Sequence, residues 1–424
     1  MSIIASLVFV VGYILIAFEH KIKIDKAASA LITGVSCWLM FYLSQHSHVE
    51  AEELLLQNLG EISAILFFLL GAMTIVEVVD SHDGFSLITG IILTQSKTRI
   101  LILVGFITFF LSAILDNLTT SIVMISLCKK LISEKKDRLW FAALIIIAAN
   151  AGGAWSPIGD VTTTMLWIGG QISAGRIVLT TFIPSLVVLA LPLAVLLVKF
   201  RGQKMDPIDK VKTQDHAAES NLILFSGVGL LISVPVFKTL THMAPFTGML
   251  LALGVMWIIS SLIHLSKHPD ERIKYSVTKA LQKIDTSSIL FFLGILLAVS
   301  ALQSMGILEK MANYVSQYIS NMYMTGTILG LFSAIIDNVP LVAAAQGMYS
   351  LEMFPMDHPF WEFLALSAGT GGSAIIIGSA AGVAVMGIEK IEFFWYLKNV
   401  SLLALLGFFA GLLTFILQQW LIGL

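Results

Sequence analysis

Ser112-Ala-Ile-Leu-Asp116-Asn117 recurs as Ser333-Ala-Ile-Ile-Asp337-Asn338, identical at five of six positions. The two copies are 221 residues apart (116 to 337), about half of the 424-residue chain. Upstream, Ile65-Leu-Phe-Phe-Leu69 returns unchanged as Ile289-Leu-Phe-Phe-Leu293, an offset of 224. Downstream, Gly152-Gly153 and Gly159 match Gly371-Gly372 and Gly378 at 219. Three matches in one order at nearly one offset define an internal duplication.

Outside these segments the chain is strongly apolar. Hydrophobic residues make up 57% and charged residues 12%, against ~25% charged in a soluble domain; mean hydropathy is +0.90. Apolar blocks of roughly 17–25 residues suit a ~30 Å hydrocarbon core, and little sequence remains between them for a soluble domain. A net charge of −2 argues against a nucleic-acid partner. Cys37 and Cys128 lie in or beside apolar blocks without metal-ligand spacing and read as packing residues. Met1 to Phe18 has no Lys or Arg before its apolar run and no small-x-small cleavage site, and reads as a retained first span.

Spans are predicted near 2–18, 28–43, 61–79, 139–169 and 177–198, then 221–240, 246–264, 286–303, 361–388 and 393–422. The stretches 98–133 and 322–354 each carry an Asp-Asn at the middle, and length alone allows two crossings or one re-entrant hairpin. Basic loops contain Lys129, Lys130, Lys135, Lys136 and Arg138; Lys199, Arg201, Lys204, Lys210 and Lys212; and Lys267, Arg272, Lys274, Lys279 and Lys283. Lys21, Lys23 and Lys26 form a smaller cluster. The positive-inside rule places all of these in the cytoplasm if both stretches are hairpins. Loops with Glu50, Glu52 and Glu53, and with Glu352, Asp357 and Glu362, then lie outside, as do both termini. The expected fold is an all-α polytopic membrane protein of two repeats, each with five spans, one re-entrant helical hairpin and a broken helix. Five is odd, so the repeats are inverted, an arrangement used by secondary transporters.

An aspartate at membrane depth costs ~2.5–3.5 kcal/mol on insertion scales and is a functional candidate by default. Asp116 and Asp337 show no charged neighbour in sequence. Helix capping is the plain alternative, but Ser or Thr would cap at lower desolvation cost. Two related carboxylates suggest a cation and proton site. The second constellation is Asn150-Ala-Gly-Gly-Ala-Trp-Ser156-Pro157-Ile-Gly159-Asp160-Val-Thr162-Thr163-Thr164, whose glycines and proline should break the helix and free oxygens for a hard cation. Asp160 is a ligand or an N-cap. The matching segment, Gly369-Thr370-Gly-Gly-Ser373-Ala-Ile-Ile-Ile-Gly378-Ser379, has no carboxylate. Glu77, at a predicted span end, is solvated or a proton entry point, with His82 as a pH sensor. The remaining histidines read as mostly solvent-facing, and Trp38, Trp140, Trp361 and Trp395 as interfacial anchors. No P-loop, zinc spacing or nucleophile elbow points to an enzyme.

Leu-Asp116-Asn117-Leu-Thr-Thr-Ser, Asn150 through Met165, Gly71-Ala-Met-Thr-Ile-Val-Glu77 and Gly371 through Gly382 resemble the NhaD type of Na⁺/H⁺ antiporter of the ion-transporter superfamily. That resemblance implies exchange of cytoplasmic Na⁺ or Li⁺ for external H⁺, a role in pH homeostasis, a bacterial inner membrane, and a homodimer with a fixed scaffold and a mobile transport part. It implies no cofactor beyond the transported ion. The expected scaffold is 1–97 and 221–321, the transport part 98–200 and 322–424, with 201–220 a cytoplasmic linker. Carried over residue by residue, the ion and proton site is Asp116, Asn117, Asn150, Asp160, Thr162, Thr163, Asp337, Asn338, Ser373 and Ser379, with Na⁺ on Asp116, Asp160 and Asp337. The rival is a Na⁺-coupled carrier of a dicarboxylate or arsenite-like anion. A channel is a further alternative, with the carboxylates as a selectivity element.

Overall fold

Lipid offers no hydrogen bonds, so a spanning chain must satisfy its backbone internally, and helices do so within one segment. The computed structural model describes residues 2–17, 19–45, 47–85, 94–204, 217–265, 267, 272–273, 275–319, 321–335 and 337–422. These are almost wholly helical, and eight helices among them are long and apolar enough to cross a membrane. The first half contains α1 (Ser2–Ala17), α2 (Glu19–Ile22), α3 (Lys26–Ser44), α4 (His48–Ser81), α5 (Lys97–Leu115), α6 (Asn117–Leu131), α7 (Lys135–Gly153), α8 (Val161–Ile168) and α9 (Ala174–Lys199). The second contains α10 (Ala217–Thr241), α11 (Pro245–Ile263), α12 (Val277–Leu281), α13 (Thr286–Ser304), α14 (Ile307–Tyr318), α15 (Met322–Phe332) and α16 (Asn338–Met348). α17 (Pro359–Gly371), α18 (Ala380–Glu389), α19 (Phe393–Asn399) and α20 (Ser401–Ile422) complete it. Large apolar side chains such as Leu240, Phe394 and Trp420 stand exposed on the outer surface, as a bilayer-facing wall requires.

Contacts fix the course of the two Asp-Asn stretches. Along α5, Gly105 faces Leu144, Phe109 faces Gly152 and the Ser112 hydroxyl donates to the Ala149 carbonyl at 2.6 Å, so α5 runs parallel to α7. α6 begins with Asn117 against Asn150 and ends where Arg138 donates to the Ile132 carbonyl, so it runs antiparallel to α7. α5 and α6 are therefore the limbs of a helical hairpin tipped by Asp116, and Lys97 pairs with Asp137 at its open end. The second stretch repeats the arrangement. Gly326 and Gly330 face Phe363 and Ser367, the Ser333 hydroxyl donates to the Ala368 carbonyl at 2.7 Å, and Tyr349 beyond α16 packs on Phe360 at the start of α17.

The broken helices lead in opposite directions between the open ends of these hairpins. Arg138, starting α7, binds Glu389, ending α18, at 2.8 Å. Gln171, just past α8, accepts from the Asp357 amide, just before α17, at 2.8 Å. α9 joins the two ends: its cap Ser173 meets Asp357, and Lys199 sits 3.1 Å over the Trp140 ring. Its 26 residues reach about 39 Å at 1.5 Å per residue. Elsewhere the halves interlock. α3 lies on α13 through Gly34 and Gly294, where an added Cβ would come within 2.5 Å of backbone, and α4 lies on α11 at Gly71 and Met249.

Several expectations need correction. The span placed at 61–79 is a 34-residue helix beginning at His48, so Glu50, Glu52 and Glu53 lie on α4 and not in a loop. Ser47 caps it, and acidic residues in a first turn suit the helix dipole. The block 393–422 breaks at Val400 into α19 and α20. α14 lies where no element was expected. Trp361 is fully buried and its indole donates to the Phe354 carbonyl, while buried Trp38 donates to Ser300, so neither is an interfacial anchor. His264 is buried, not solvent-facing. Cys37 and Cys128 are buried free thiols. Lys210, Lys212 and Lys274, and most of the 201–220 linker, lie outside the described residues.

Candidate functional site

Asp160 holds the centre. It is 1% exposed, ends the Gly-Pro break and caps α8: Oδ1 accepts from the Thr162 amide at 3.0 Å, and Thr163 completes a capping box. The same carboxylate gathers the asparagines of both hairpin tips. Asn117 donates to Oδ2 at 2.9 Å and Asn338 donates to Oδ2 at 3.2 Å. Asn117 also donates to the side-chain oxygen of Asn150, Oδ1, at 3.1 Å, and Asn150 Nδ2 donates to the Ser373 and Ser379 hydroxyls at 2.9 Å each. Thus Asn117, Asn150, Asp160, Asn338, Ser373 and Ser379 form one buried network spanning both halves. Thr162 and Thr163 serve it through the cap.

Asp116 and Asp337 stand beside this network, not in it. Asp116 caps α6, taking the Thr119 amide at 2.8 Å and hydroxyl at 2.7 Å. Asp337 caps α16 through the Val339 amide at 3.3 Å. The tips differ in backbone: Asp116 has φ 83° and ψ 159°, whereas Asp337 has φ −48°. That conformation is disfavoured for any residue with a Cβ, by ~1–3 kcal/mol, and such strain concentrates at functional sites.

The glycines show why the sequence must repeat here. A Cβ on Gly152 would fall 2.2 Å from the Phe109 carbonyl oxygen, and one on Gly371 would fall 1.9 Å from that of Gly330. Gly153 meets the Gly159 carbonyl as Gly372 meets that of Gly378. These parallels set Asp160 and Ser379 in equivalent places, and both are N-caps. Four helix N-termini (α6, α8, α16, α18) therefore converge on one centre. Each carries about half a positive charge and alone would attract an anion. Three of the four caps are aspartate, which reverses the sign.

Asp116 and Asp337 line one cavity of ≈ 60 Å³ with Asn117 and Thr119 on its polar side and Phe68, Leu69 and Met249 on its apolar side. Lys26 lines it too, its ammonium 3.9 Å from Asp337 and 4.5 Å from the Phe291 ring centre. Asp337 thus gains in space the charged neighbour it lacks in sequence, and Lys26 is not merely a loop charge. Beside this cavity lies a vestibule of ≈ 460 Å³ that shares Lys26, Leu118, Thr119, Ser288 and Ala380 with its lining. Glu19, Asp25, Glu77, Asp80 and Asp285 line the vestibule against Lys26 and Lys283. The Ala27 amide and Ser287 hydroxyl hold the Asp25 carboxyl below its ordinary range, so it stays charged. Glu77 is on the vestibule wall, 3.0 Å from Lys283. His82 is not in the site; it is buried behind α4 against His264 at 2.7 Å.

Two halves of broken helices and hairpins around a buried polar centre, with a vestibule beside it, define a polytopic membrane transporter. The chain belongs to the family described as citrate transporter, whose model matches residues 13–365. It is 49% identical to sodium/proton antiporter 1 of Arabidopsis thaliana over 97% of this chain and 71% of that protein. It is 46% identical to sodium/proton antiporter 2 of the same plant, over 97% and 98%. The Na⁺/H⁺ antiporter NhaD of Vibrio cholerae is 29% identical over 97% of this chain and 91% of its own length.

Proposed function

We propose that this protein is a secondary antiporter that exchanges cytoplasmic Na⁺, or Li⁺, for external H⁺ at Asp160, with Asp116 and Asp337 at the mouth of the site. One observation carries this: a fully buried carboxylate whose hydrogen-bond partners are all neutral. An ionised group so placed requires a compensating charge, and either a proton or a small cation provides it. Occupancy by one excludes the other, which is the condition for exchange. Asn117 and Asn338 suit both states. Their amides donate to the bare carboxylate, and a half-turn of either amide presents its oxygen to a hard cation. The acidic vestibule concentrates cations at the entrance.

The two halves are read as inverted repeats, with α5–α9 and α15–α20 moving against a scaffold built from α1, α3, α4, α10, α11 and α13. The basic loops mark the cytoplasmic face. A bacterial inner membrane, a homodimer and a role in pH homeostasis complete the proposal; the antiporters it resembles come from a plant and from bacteria. The family's description as citrate transporter raises the anion alternative. Against it stand three aspartate caps at the converging N-termini, where an anion carrier needs neutral hydroxyls and amides.

Proteoliposomes with an internal pH dye test the reading, with Na⁺, Li⁺, K⁺, citrate and a dicarboxylate added in turn. Na⁺ should drive proton flux, Asp160→Asn should abolish it, and Asp116→Asn and Asp337→Asn should each reduce it. Full flux in Asp160→Asn, or citrate uptake without Na⁺-driven proton movement, overturns the proposal.

A further inference from the structure

Three scaffold helices bring a second set of ligands together, away from the transport centre. His82 caps the C-terminal end of α4, His264 that of α11, and Glu219 lies in the first turn of α10. Their donor atoms fall within 4.8 Å of one another. Both histidines are buried, and each packs on the Tyr275 ring at 5.0 and 5.3 Å.

The hydrogen bonds fix the ligating atom of His82. His82 Nδ1 is 2.6 Å from the Val78 carbonyl, which only accepts, so Nδ1 carries the hydrogen and Nε2 presents a lone pair. That lone pair faces His264 Nε2 at 2.7 Å, so the proton of this contact belongs to His264. His264 Nδ1 is 3.4 Å from Glu219 Oε1. One proton thus holds two imidazoles together, with a carboxylate adjoining. We propose that a divalent transition-metal ion of the zinc class takes the place of that proton, bound by His82 Nε2, His264 and Glu219. Two imidazoles and a carboxylate with a position left for water are a recurrent zinc donor set. The Val78 carbonyl is the outer partner that holds a metal-binding imidazole in the required tautomer. Lys267 grips both Glu219 oxygens, at 2.5 and 2.6 Å. It orients the carboxylate and leaves lone pairs for an ion, while its charge weakens the site. Bound there, the metal clamps α4, α10 and α11 one turn from Glu77 and Asp80 of the vestibule.

Cobalt(II) is the probe, added to chelator-treated full-length protein in detergent. We expect one Co²⁺ per chain with visible d–d absorption, displaced by Zn²⁺, and both signals lost in His264→Gln and His82→Gln. Asp160→Asn, which tests the transport proposal, should bind cobalt as the parent does. Co²⁺ retained unchanged in both histidine variants, or none retained by a parent protein that still transports, overturns the site. If His82→Gln fails to fold, Glu219→Gln serves instead, since it removes the carboxylate ligand at a more exposed position.

Discussion

At the scale of the residue, the ion pair between Lys26 and Asp337 offers a test of the site's charge balance. Lys26 is the one basic residue lining the inner cavity among the described residues, so it is an internal competitor for any cation that approaches the second tip. The pair is about a fifth to a quarter exposed, and such a pair contributes about 1 kcal/mol. That corresponds to about fivefold in an equilibrium. Lys26→Ala should therefore lower the KM for Na⁺ about fivefold while the protein still exchanges, measured as proton flux against Na⁺ concentration. An unchanged KM would show that the lysine plays no part in cation access. Asp116, Asp160 and Asp337 were legible in the sequence because a carboxylate amid apolar residues is costly wherever it sits. Lys26 was not, because Lys21, Lys23 and Lys26 read as one basic loop. Only the packing of α3 on α13 carries its ammonium to the hairpin tip. His264 was hidden for the same reason, at a span end that looked solvent-facing.

At the scale of the element, the duplication was readable down to single glycines, since each hairpin needs bare backbone where it crosses its broken helix. Gly152→Ala places a methyl 2.2 Å from a carbonyl oxygen fixed within α5, where the neighbour cannot turn aside as a side chain would. Overpacking of this kind costs ~1–3 kcal/mol. Gly60→Ala, at an exposed position of α4 with nothing within 4 Å, should be neutral or stabilising by up to ~1 kcal/mol. Thermal unfolding of the two variants in one detergent checks the contrast, and equal midpoints would refute the crossing. What escaped the sequence reading was structure outside the template of uniform apolar blocks. α4 runs 34 residues because its glutamate-rich first turns are good helix, though poor membrane span. α14 alternates Glu309, Lys310 and Asn313 with Leu308, Met311 and Ala312, an amphipathic pattern that a search for spans passes over.

At the scale of the whole molecule, the question is which side the open vestibule faces. Its wall includes Glu77 and Asp80 near the end of α4, Ile122 and Val123 along α6, and Val383 and Ala384 along α18. All three helices run toward the end where Lys129 and Arg138 meet Glu389. The Cys37–Ala5 and Gln418–Leu179 contacts put α1's beginning and α20's end at the opposite side. If the basic loops face the cytoplasm, the vestibule opens inward, and Asp116 and Asp337 lie on its cytoplasmic approach. Val383→Cys makes this measurable, because the native thiols Cys37 and Cys128 are buried and contribute little background. A membrane-impermeant maleimide should label Val383→Cys in inverted vesicles and not in right-side-out ones, and saturating Na⁺ should change the rate if the transport part moves. Labelling only from the outer face would reverse the assigned orientation. Equal labelling from both faces would be worse for the proposal, since a path open to both sides at once is a channel and could not couple Na⁺ to H⁺.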